Sequence, residues 1–88
     1  MTTKHVNTFE NELSESRSIH DEALRDIKLS KIAERVATAG HFEKALEIIV
    51  MIKAEHVRVR TLYHLAQECV MKGRLPMAAE VLNRISSN

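Results

Sequence analysis

The sequence predicts an all-α fold in which antiparallel helical hairpins, about five helices in all, pack side by side in a short stack. The main observation is an internal repeat, because residues 29–52 return as residues 62–85 at an offset of 33 positions. Six aligned pairs are identical, namely Leu29/Leu62, Ala33/Ala66, Gly40/Gly73, Ala45/Ala78, Glu47/Glu80 and Ile52/Ile85. A repeat of this period indicates helical hairpins that cover their apolar faces only by packing against a neighbour.

Composition also favours helices over strands. The chain of 88 residues holds two glycines, one proline and three aromatic residues. A β-sandwich or barrel needs more turn residues and more β-branched or aromatic positions than this. Hydrophobic residues make up 44% and charged residues 28%, which is the ordinary balance of a globular chain. The length favours a single domain, residues 1–88, with a modest core.

The net charge, the apolar runs and the single cysteine make some kinds of partner and cellular compartment less favoured than others. Thirteen basic against twelve acidic side chains give a net charge of +1, so no global field draws in nucleic acid or an acidic membrane. The longest apolar run, residues 48–52, is too short to span a bilayer, and the first residues lack the apolar core of a signal peptide. Cys69, the single cysteine, cannot form an internal disulfide. We therefore expect a soluble protein of a reducing compartment, most simply the cytoplasm.

The N-terminal element, residues 1–20, is predicted to contain the second helix of a preceding half-repeat. Phe9, Leu13, Ser16 and Ile19 fall at helical spacing, and the repeat offset aligns this segment with the second helix of the first full hairpin. The other positions of this helix, Glu12, Ser14, Glu15 and Arg17, are polar, as expected of a terminal element with one face in water. The alternative is a disordered leader.

Residues 21–53 are predicted to form the first full repeat. Its first helix should begin at Asp21, capped by that residue or by Ser18, and end just before Gly40, which can adopt a left-handed conformation. Its second helix should cover residues 42–53. The buried positions are expected at Leu24, Ile27, Ile32, Ala33, Val36 and Ala37 of the first helix and at Phe42, Ala45, Leu46, Ile48, Ile49 and Ile52 of the second.

Residues 54–88 are predicted to form the second repeat. Its first helix should cover residues 56–72 and end at Gly73. Pro76 lies in the first turn of the final helix, residues 75–84, where its missing N–H costs nothing. The buried positions are expected at Val57, Leu62, Leu65, Ala66, Cys69 and Val70, and then at Ala78, Val81, Leu82 and Ile85.

This repeat unit resembles the tetratricopeptide (TPR) class of helix-turn-helix repeats. The shared features are small residues where two helices cross, glycine at the turn and apolar residues after it. The matching residues are Ala33 and Ala66, Gly40 and Gly73, Phe42 and Leu75, Ala45 and Ala78, and Ile49 and Leu82. The tryptophan position of the family holds Leu29 and Leu62 instead, and the repeat is one residue shorter than the usual length. The resemblance implies a right-handed stack of two TPR-like repeats plus the N-terminal helix.

The resemblance also implies a binding surface, because the first helix of each hairpin in TPR-like stacks lines a concave face that holds a peptide or a partner helix. Ile27, Ser30 and Thr38 would belong to that face. The partner-binding residues expected on it are Lys31 and Glu34 from the first hairpin and Arg60, Tyr63, His64, Gln67 and Met71 from the second. A tyrosine, a flexible methionine and cationic donors suit a protein contact. The alternative is a solvated helix face.

A basic stripe is a second candidate surface. His56, Arg60 and His64 are spaced so that they share one helical face, and Arg58 adds a cation nearby. Such a stripe could meet phosphate or acidic side chains. Flanking glutamates and the scarcity of aromatic residues favour a solvated or internally paired stripe over a nucleic-acid surface.

Residue patterns that indicate catalysis or metal binding are absent from the sequence. The five histidines form no HxxxH or HxxC spacing, and there is no P-loop, GxSxG or glycine-rich phosphate cradle. Cys69 aligns with Val36 at a core position of the repeat, so we expect an inert buried thiol. The sequence therefore predicts a protein that is not an enzyme and holds no cofactor or metal.

The end of the final helix gives the strongest functional expectation. No predicted helix follows to cover Val81, Leu82 and Ile85, and uncovered repeat ends bind another chain or self-associate. The main hypothesis is a non-enzymatic adaptor or small chaperone that binds another protein or its amphipathic helix, away from membranes. The alternatives are a structural or regulatory homodimer, in which two copies bury this edge, and a weak nucleic-acid binder using the basic stripe.

Overall fold

Five helices make up the part of the chain that the structure, a computed structural model, describes: residues 10–15 and 21–87. They are α1, residues 10–15; α2, Glu22–Thr38; α3, Phe42–Ile49; α4, Glu55–Met71; and α5, Leu75–Ser87. Packing is mostly between sequential helices, α2 with α3, α3 with α4 and α4 with α5, and α2 also packs against α4. None of these described helices is long and apolar enough to cross a membrane. The prediction of an all-α domain of about five helices is confirmed.

The domain is compact and thin. Its Cα atoms have a radius of gyration of 12.9 Å and span 33 × 32 × 13 Å. Packed helix axes lie about 8–10 Å apart, and the Cα cylinder of each helix has a radius of about 2.3 Å. The short dimension therefore equals the thickness of about two packed helices.

The two turns that contain glycine, one between α2 and α3 and the other between α4 and α5, have the same backbone structure. Gly40 has a φ of 93° and Gly73 a φ of 73°, in the left-handed region that a Cβ disfavours. In each turn the N–H of the residue after the glycine donates to the carbonyl five residues earlier, with N···O distances of 3.1 and 2.8 Å. This is the hydrogen bond of a Schellman motif, which satisfies a helix carbonyl that has no intrahelical partner. The two predicted glycine stops are confirmed.

The start of α2 is capped by Asp21, one of the two residues that the sequence offered for this position. Asp21 Oδ1 accepts hydrogen bonds from the N–H groups of Ala23 at 2.9 Å and Leu24 at 3.2 Å. The other candidate cap, Ser18, lies outside the described residues. So do three residues on which the N-terminal helix prediction depended, Phe9, Ser16 and Ile19.

Helix α3 ends at Ile49, four residues before the predicted end, and a carboxylate on α2 accounts for the difference. Asp26 accepts hydrogen bonds from the N–H groups of Lys53 at 3.1 Å and Ala54 at 2.9 Å. A longer α3 would direct these donors to its own carbonyls. Ile52 still reaches the core from the turn and is 1% exposed. The other predicted boundaries differ less, with α4 starting one residue early and α5 ending three residues late.

All five described helices contribute to one hydrophobic core. The described part of α1 contributes one leucine, and the longer helices contribute isoleucine, leucine, valine and alanine at helical spacing. The buried apolar residues are Leu13, Leu29, Ile32, Ala33, Val36, Ala37, Phe42, Ala45, Leu46, Ile48, Ile49, Ile52, Val57, Leu62, Leu65, Ala66, Cys69, Ala78 and Val81.

Four apolar residues that were predicted to be buried are exposed. Leu24, Ile27, Val70 and Leu82 were expected inside the core and are 58%, 45%, 53% and 45% exposed. The periodicity of the sequence predicts which side of a helix is apolar, but it does not predict whether another helix covers that side. No described helix covers these four residues. Val81, predicted both among the buried positions of the final helix and in its uncovered apolar strip, is fully buried.

A buried pair of hydroxyl groups joins α2 to α4. Ser30 Oγ and Thr61 Oγ1 lie 2.8 Å apart, and Thr61 donates its proton to the Val57 carbonyl at 2.7 Å. A hydroxyl group has one proton, so Ser30 must donate to Thr61. Ser30 was expected on the open concave face. It is 4% exposed and holds the two helices together instead.

Candidate partner-binding groove

The seven residues predicted to bind a partner all lie on α2 and α4, the two long helices that pack against each other. Lys31, Arg60 and Gln67 are exposed, as are Tyr63 at 56% and Met71 at 75%. The other two, Glu34 and His64, are half-buried. The exposed aromatic ring and thioether are available for an apolar contact.

A groove of about 570 Å³ lies along α2 where His64 of α4 approaches it, and we call it the α2–α4 groove. It is lined by Lys28, Lys31, Ile32, Glu34, Arg35, Thr38 and His64. Three of the predicted residues, Lys31, Glu34 and His64, therefore meet in one place. The other four lie on α4 outside this lining.

Two cationic residues of the groove were not predicted. Lys28 and Arg35 stand one turn or more on either side of Lys31 on α2, so all three share a helical face. The spacing of three basic residues at i, i+3 and i+7 was a readable signal. The resemblance to TPR repeats indicates other positions of this helix and does not include Lys28 or Arg35.

Helix α1 is bound to the basic residues beside the groove through its glutamates. Glu15 lies 3.8 Å from Lys28 Nζ, and Glu12 accepts a hydrogen bond from Arg35. Lys31 makes no ion pair with any described residue. The groove thus has a cation open to a ligand and two that the chain itself engages.

On the α4 side, His64 is the only described residue that reaches the groove lining. Its Nε2 is buried without a hydrogen-bond partner among the described residues, and it lies 3.9 Å from Glu68. Glu68 also lies 3.7 Å from Lys72 Nζ. The imidazole of His64 and the ammonium group of Lys72 therefore both lie near the carboxylate of Glu68.

The predicted basic stripe is shorter than expected. His56 and Arg60 are exposed on α4, and His64 is half-buried on the same face. Arg58 is directed elsewhere, because its Nη1 donates to the carbonyls of Ile52 at 2.9 Å and Lys53 at 3.3 Å. Its guanidinium therefore braces the connection between α3 and α4, which removes one cation from the proposed phosphate-binding surface.

Cys69 lies in the core, as the sequence predicted, and is fully buried. Burial raises the pKa of the thiol, because an apolar environment disfavours the thiolate; Arg74 opposes this shift and Glu68 adds to it. A protonated, inaccessible thiol is a poor nucleophile. Among the described residues, no group of three or more His, Cys, Asp and Glu side chains could hold a metal ion.

The outer side of α5 is the other predicted contact region. Leu75 and Leu82 are 61% and 45% exposed, and Ile85 is half-buried against the core. A second groove, of about 430 Å³, separates α5 from α3. It is lined by Glu43, Leu46, Glu47, Val50, Met77, Glu80 and Arg84, so acidic side chains border an apolar floor.

Comparison with protein-family models, with curated proteins and with solved structures finds no match for this chain. The fold and the groove therefore define the class of protein only as a small compact all-helical domain with a basic surface groove. Its resemblance to tetratricopeptide repeats stays a prediction from the sequence.

Proposed function

We propose that this chain is a non-enzymatic protein-interaction module, an adaptor or small chaperone, that holds a helix or peptide of a partner on α2 and α4. One observation carries the proposal: Lys31, Glu34 and His64, which the resemblance to TPR repeats indicated as partner-binding residues, line a single groove. The neighbouring surface of α4 extends it with Arg60 and Tyr63, both exposed.

The proposal includes a TPR-like arrangement of the hairpins. Two features support it: the same glycine turn closes both hairpins, and the first helices of the two repeats, α2 and α4, pack together. A thickness of 13 Å is also that of two helices, as a stack of hairpins requires. In such an arrangement the α2–α4 groove lies on the face formed by the first helices.

The chemistry of the surface suits a protein ligand. Tyr63 offers a large rigid contact area, and Met71 is an adaptable apolar side chain. Arg60 makes no ion pair with a described residue and can pair with a partner's carboxylate. A ligand of this kind is held by a few apolar anchors surrounded by polar contacts.

Site-specific photo-crosslinking tests the proposal. Tyr63→p-benzoylphenylalanine places the reactive group on α4, and the same change at Glu22, exposed in the first turn of α2, is the matched control. After irradiation in a lysate of the source organism, position 63 should capture a distinct protein that position 22 does not. Arg60→Glu should reduce that capture several-fold, whereas Arg84→Glu on α5 should not. Equal capture at both positions, or no loss with Arg60→Glu, contradicts the proposal.

The second candidate function is a homodimer through the outer side of α5, which the exposure of Leu75 and Leu82 favours. A photo-crosslinker at Leu82 should then give a product of twice the chain mass. Nucleic-acid binding through the basic stripe is the weaker alternative, because Arg58 is engaged with backbone carbonyls.

A further inference from the structure

We propose that the α2–α4 groove selects an acidic amphipathic helix, and that α1 is an internal competitor for the basic residues beside it. This inference rests on the proposed function, since it takes the groove to be the partner-binding surface. It adds the chemistry of the partner: carboxylates on both sides of an apolar residue.

The charges of the groove carry the first step. Lys28, Lys31 and Arg35 share one face of α2, and His64 faces them from α4. Glu34 is the one acidic residue among the described lining residues. A ligand that brought further cations here would be repelled, and one that brought carboxylates would find up to three partners.

The chain's own α1 shows which chemistry these residues accept. Leu13 of α1 is 3% exposed in the core, and the glutamates around it pair with cations of α2 and α3. The pairs are Glu10 with Lys44, Glu12 with Arg35 and Glu15 with Lys28. An apolar anchor flanked by carboxylates therefore already binds at this edge of α2.

The two described ion pairs between α1 and α2 are weak enough for a ligand to compete for their cations. Its described part is a short helix of residues 10–15 with one fully buried apolar side chain. The side chains of Lys28 and Arg35 are 39% and 51% exposed, so water screens both ion pairs and each contributes little to stability. A longer acidic helix that also reached Lys31 would compete for the same two cations.

Peptide binding by fluorescence anisotropy is the primary test. The probe is a labelled amphipathic peptide of about 15 residues, long enough to form a helix, with leucine on one face and glutamate on the other. Matched peptides carry lysine or glutamine in place of glutamate. The acidic peptide should bind most tightly, with an affinity that falls as salt screens the charges, and the basic peptide should not bind. Equal binding of all three peptides overturns the inference.

Charge variants locate the site. Lys31→Glu should weaken binding of the acidic peptide about tenfold or more, because it replaces attraction by repulsion in the groove. Lys53→Glu is the matched control, an exposed lysine in the connection between α3 and α4. An equal loss in both variants would indicate attraction to the overall charge and would overturn the groove assignment.

Substitutions of the acidic and of the basic residues in the α1–α2 ion pairs should change the affinity for the acidic peptide in opposite directions. Glu12→Gln together with Glu15→Gln weakens the internal competitor, so the acidic peptide should bind roughly twofold to tenfold more tightly. Lys28→Gln together with Arg35→Gln removes the ligand's own partners and should weaken binding. Glu22→Gln, whose described ion pair is with Arg25 of α2, should change nothing. If the glutamate variant binds no more tightly, α1 is structural only and the competition is refuted.

The outcomes separate the two proposals. Photo-crosslinking that still depends on Arg60, together with no acidic selectivity, leaves the proposed function standing and ends this inference. Selective peptide binding without partner capture would support the acidic selectivity of the groove and would contradict the assignment of Tyr63 to the partner-binding surface. A dimer that dissociates when the acidic peptide is added would identify the occupant as α1 of a second copy, which would overturn the assignment to a different protein.

Discussion

Asp26 is a buried acid on α2 that holds the connection between α3 and α4. It is 2% exposed, and both of its oxygens accept backbone N–H groups at the start of α4. The residue in the N-cap position there is Ala54, whose methyl group cannot accept a hydrogen bond. The N–H groups that Asp26 accepts belong to Lys53 and Ala54, which precede the helix, so Asp26 ties the connection before α4 to α2. It thereby fixes where the second hairpin begins relative to the first.

Replacing Asp26 by alanine should be more costly than removing an ordinary helix cap. Asp26→Ala leaves two N–H groups without their charged acceptor, and we expect a loss of about 3 kcal/mol in the free energy of unfolding. Asp21→Ala removes the exposed cap of α2 and should cost about 1 kcal/mol. Urea denaturation followed by circular dichroism measures both. Equal losses would mean that the Asp26 contacts contribute no more than a surface cap.

Local chemistry could be predicted at single residues, whereas contacts between distant residues could not. Gly40, Gly73 and Asp21 were identified from the sequence because the conformation or hydrogen bond each supplies depends on its immediate neighbours. The Asp26 contacts and the Ser30–Thr61 pair join residues 27 to 31 positions apart. No periodicity marks such a pair, since each member looks like an ordinary polar residue of a helix.

At the scale of the helix, two adjacent alanines of α5 provide a test of packing. Ala78 is 3% exposed against the core, and Ala79 is exposed on the next position. Ala78→Leu should destabilise the domain by about 1–3 kcal/mol, because the added atoms must displace close neighbours. Ala79→Leu should stay within about 0.5 kcal/mol of the original stability. Thermal unfolding compares the two, and similar midpoints would show that α5 packs through a different face.

Helix existence could be predicted more firmly than helix ends or faces. The repeat placed all four longer helices within a few residues, and the glycine turns account for two of the ends. The end of α3 depends on Asp26, outside that helix. The burial of Leu24 and Leu82 depends on whether another helix packs against them, and an amphipathic pattern does not predict that. Stacking of the hairpins as TPR-like repeats remains a prediction.

The mass of the whole molecule in solution distinguishes the two candidate functions. We expect light scattering to give the mass of one chain, 10.0 kDa, over a wide concentration range, because the exposed apolar residues of α5 are few. Leu82→Glu should leave that mass unchanged. A mass that rises with concentration, and that Leu82→Glu returns to one chain, would instead support the homodimer.

The candidate site could be predicted in part at this scale. Three of the seven residues that the resemblance indicated, Lys31, Glu34 and His64, line the α2–α4 groove. The basic character of the groove arises from Lys28 and Arg35, which the resemblance did not include. Their pairing with α1 depends on how that short helix lies across α2, and nothing in the local sequence around either cation specifies it.

The thinness of the domain limits the ligands that it can hold. A helix bound along α2 and α4 would add a third layer to a body only 13 Å thick, and its outer side would remain in water. A helix that is apolar all round would therefore keep half of its apolar surface wet. Only a one-sided helix would gain its full burial in such a place, so the proposed partner is expected to be amphipathic and not apolar all round.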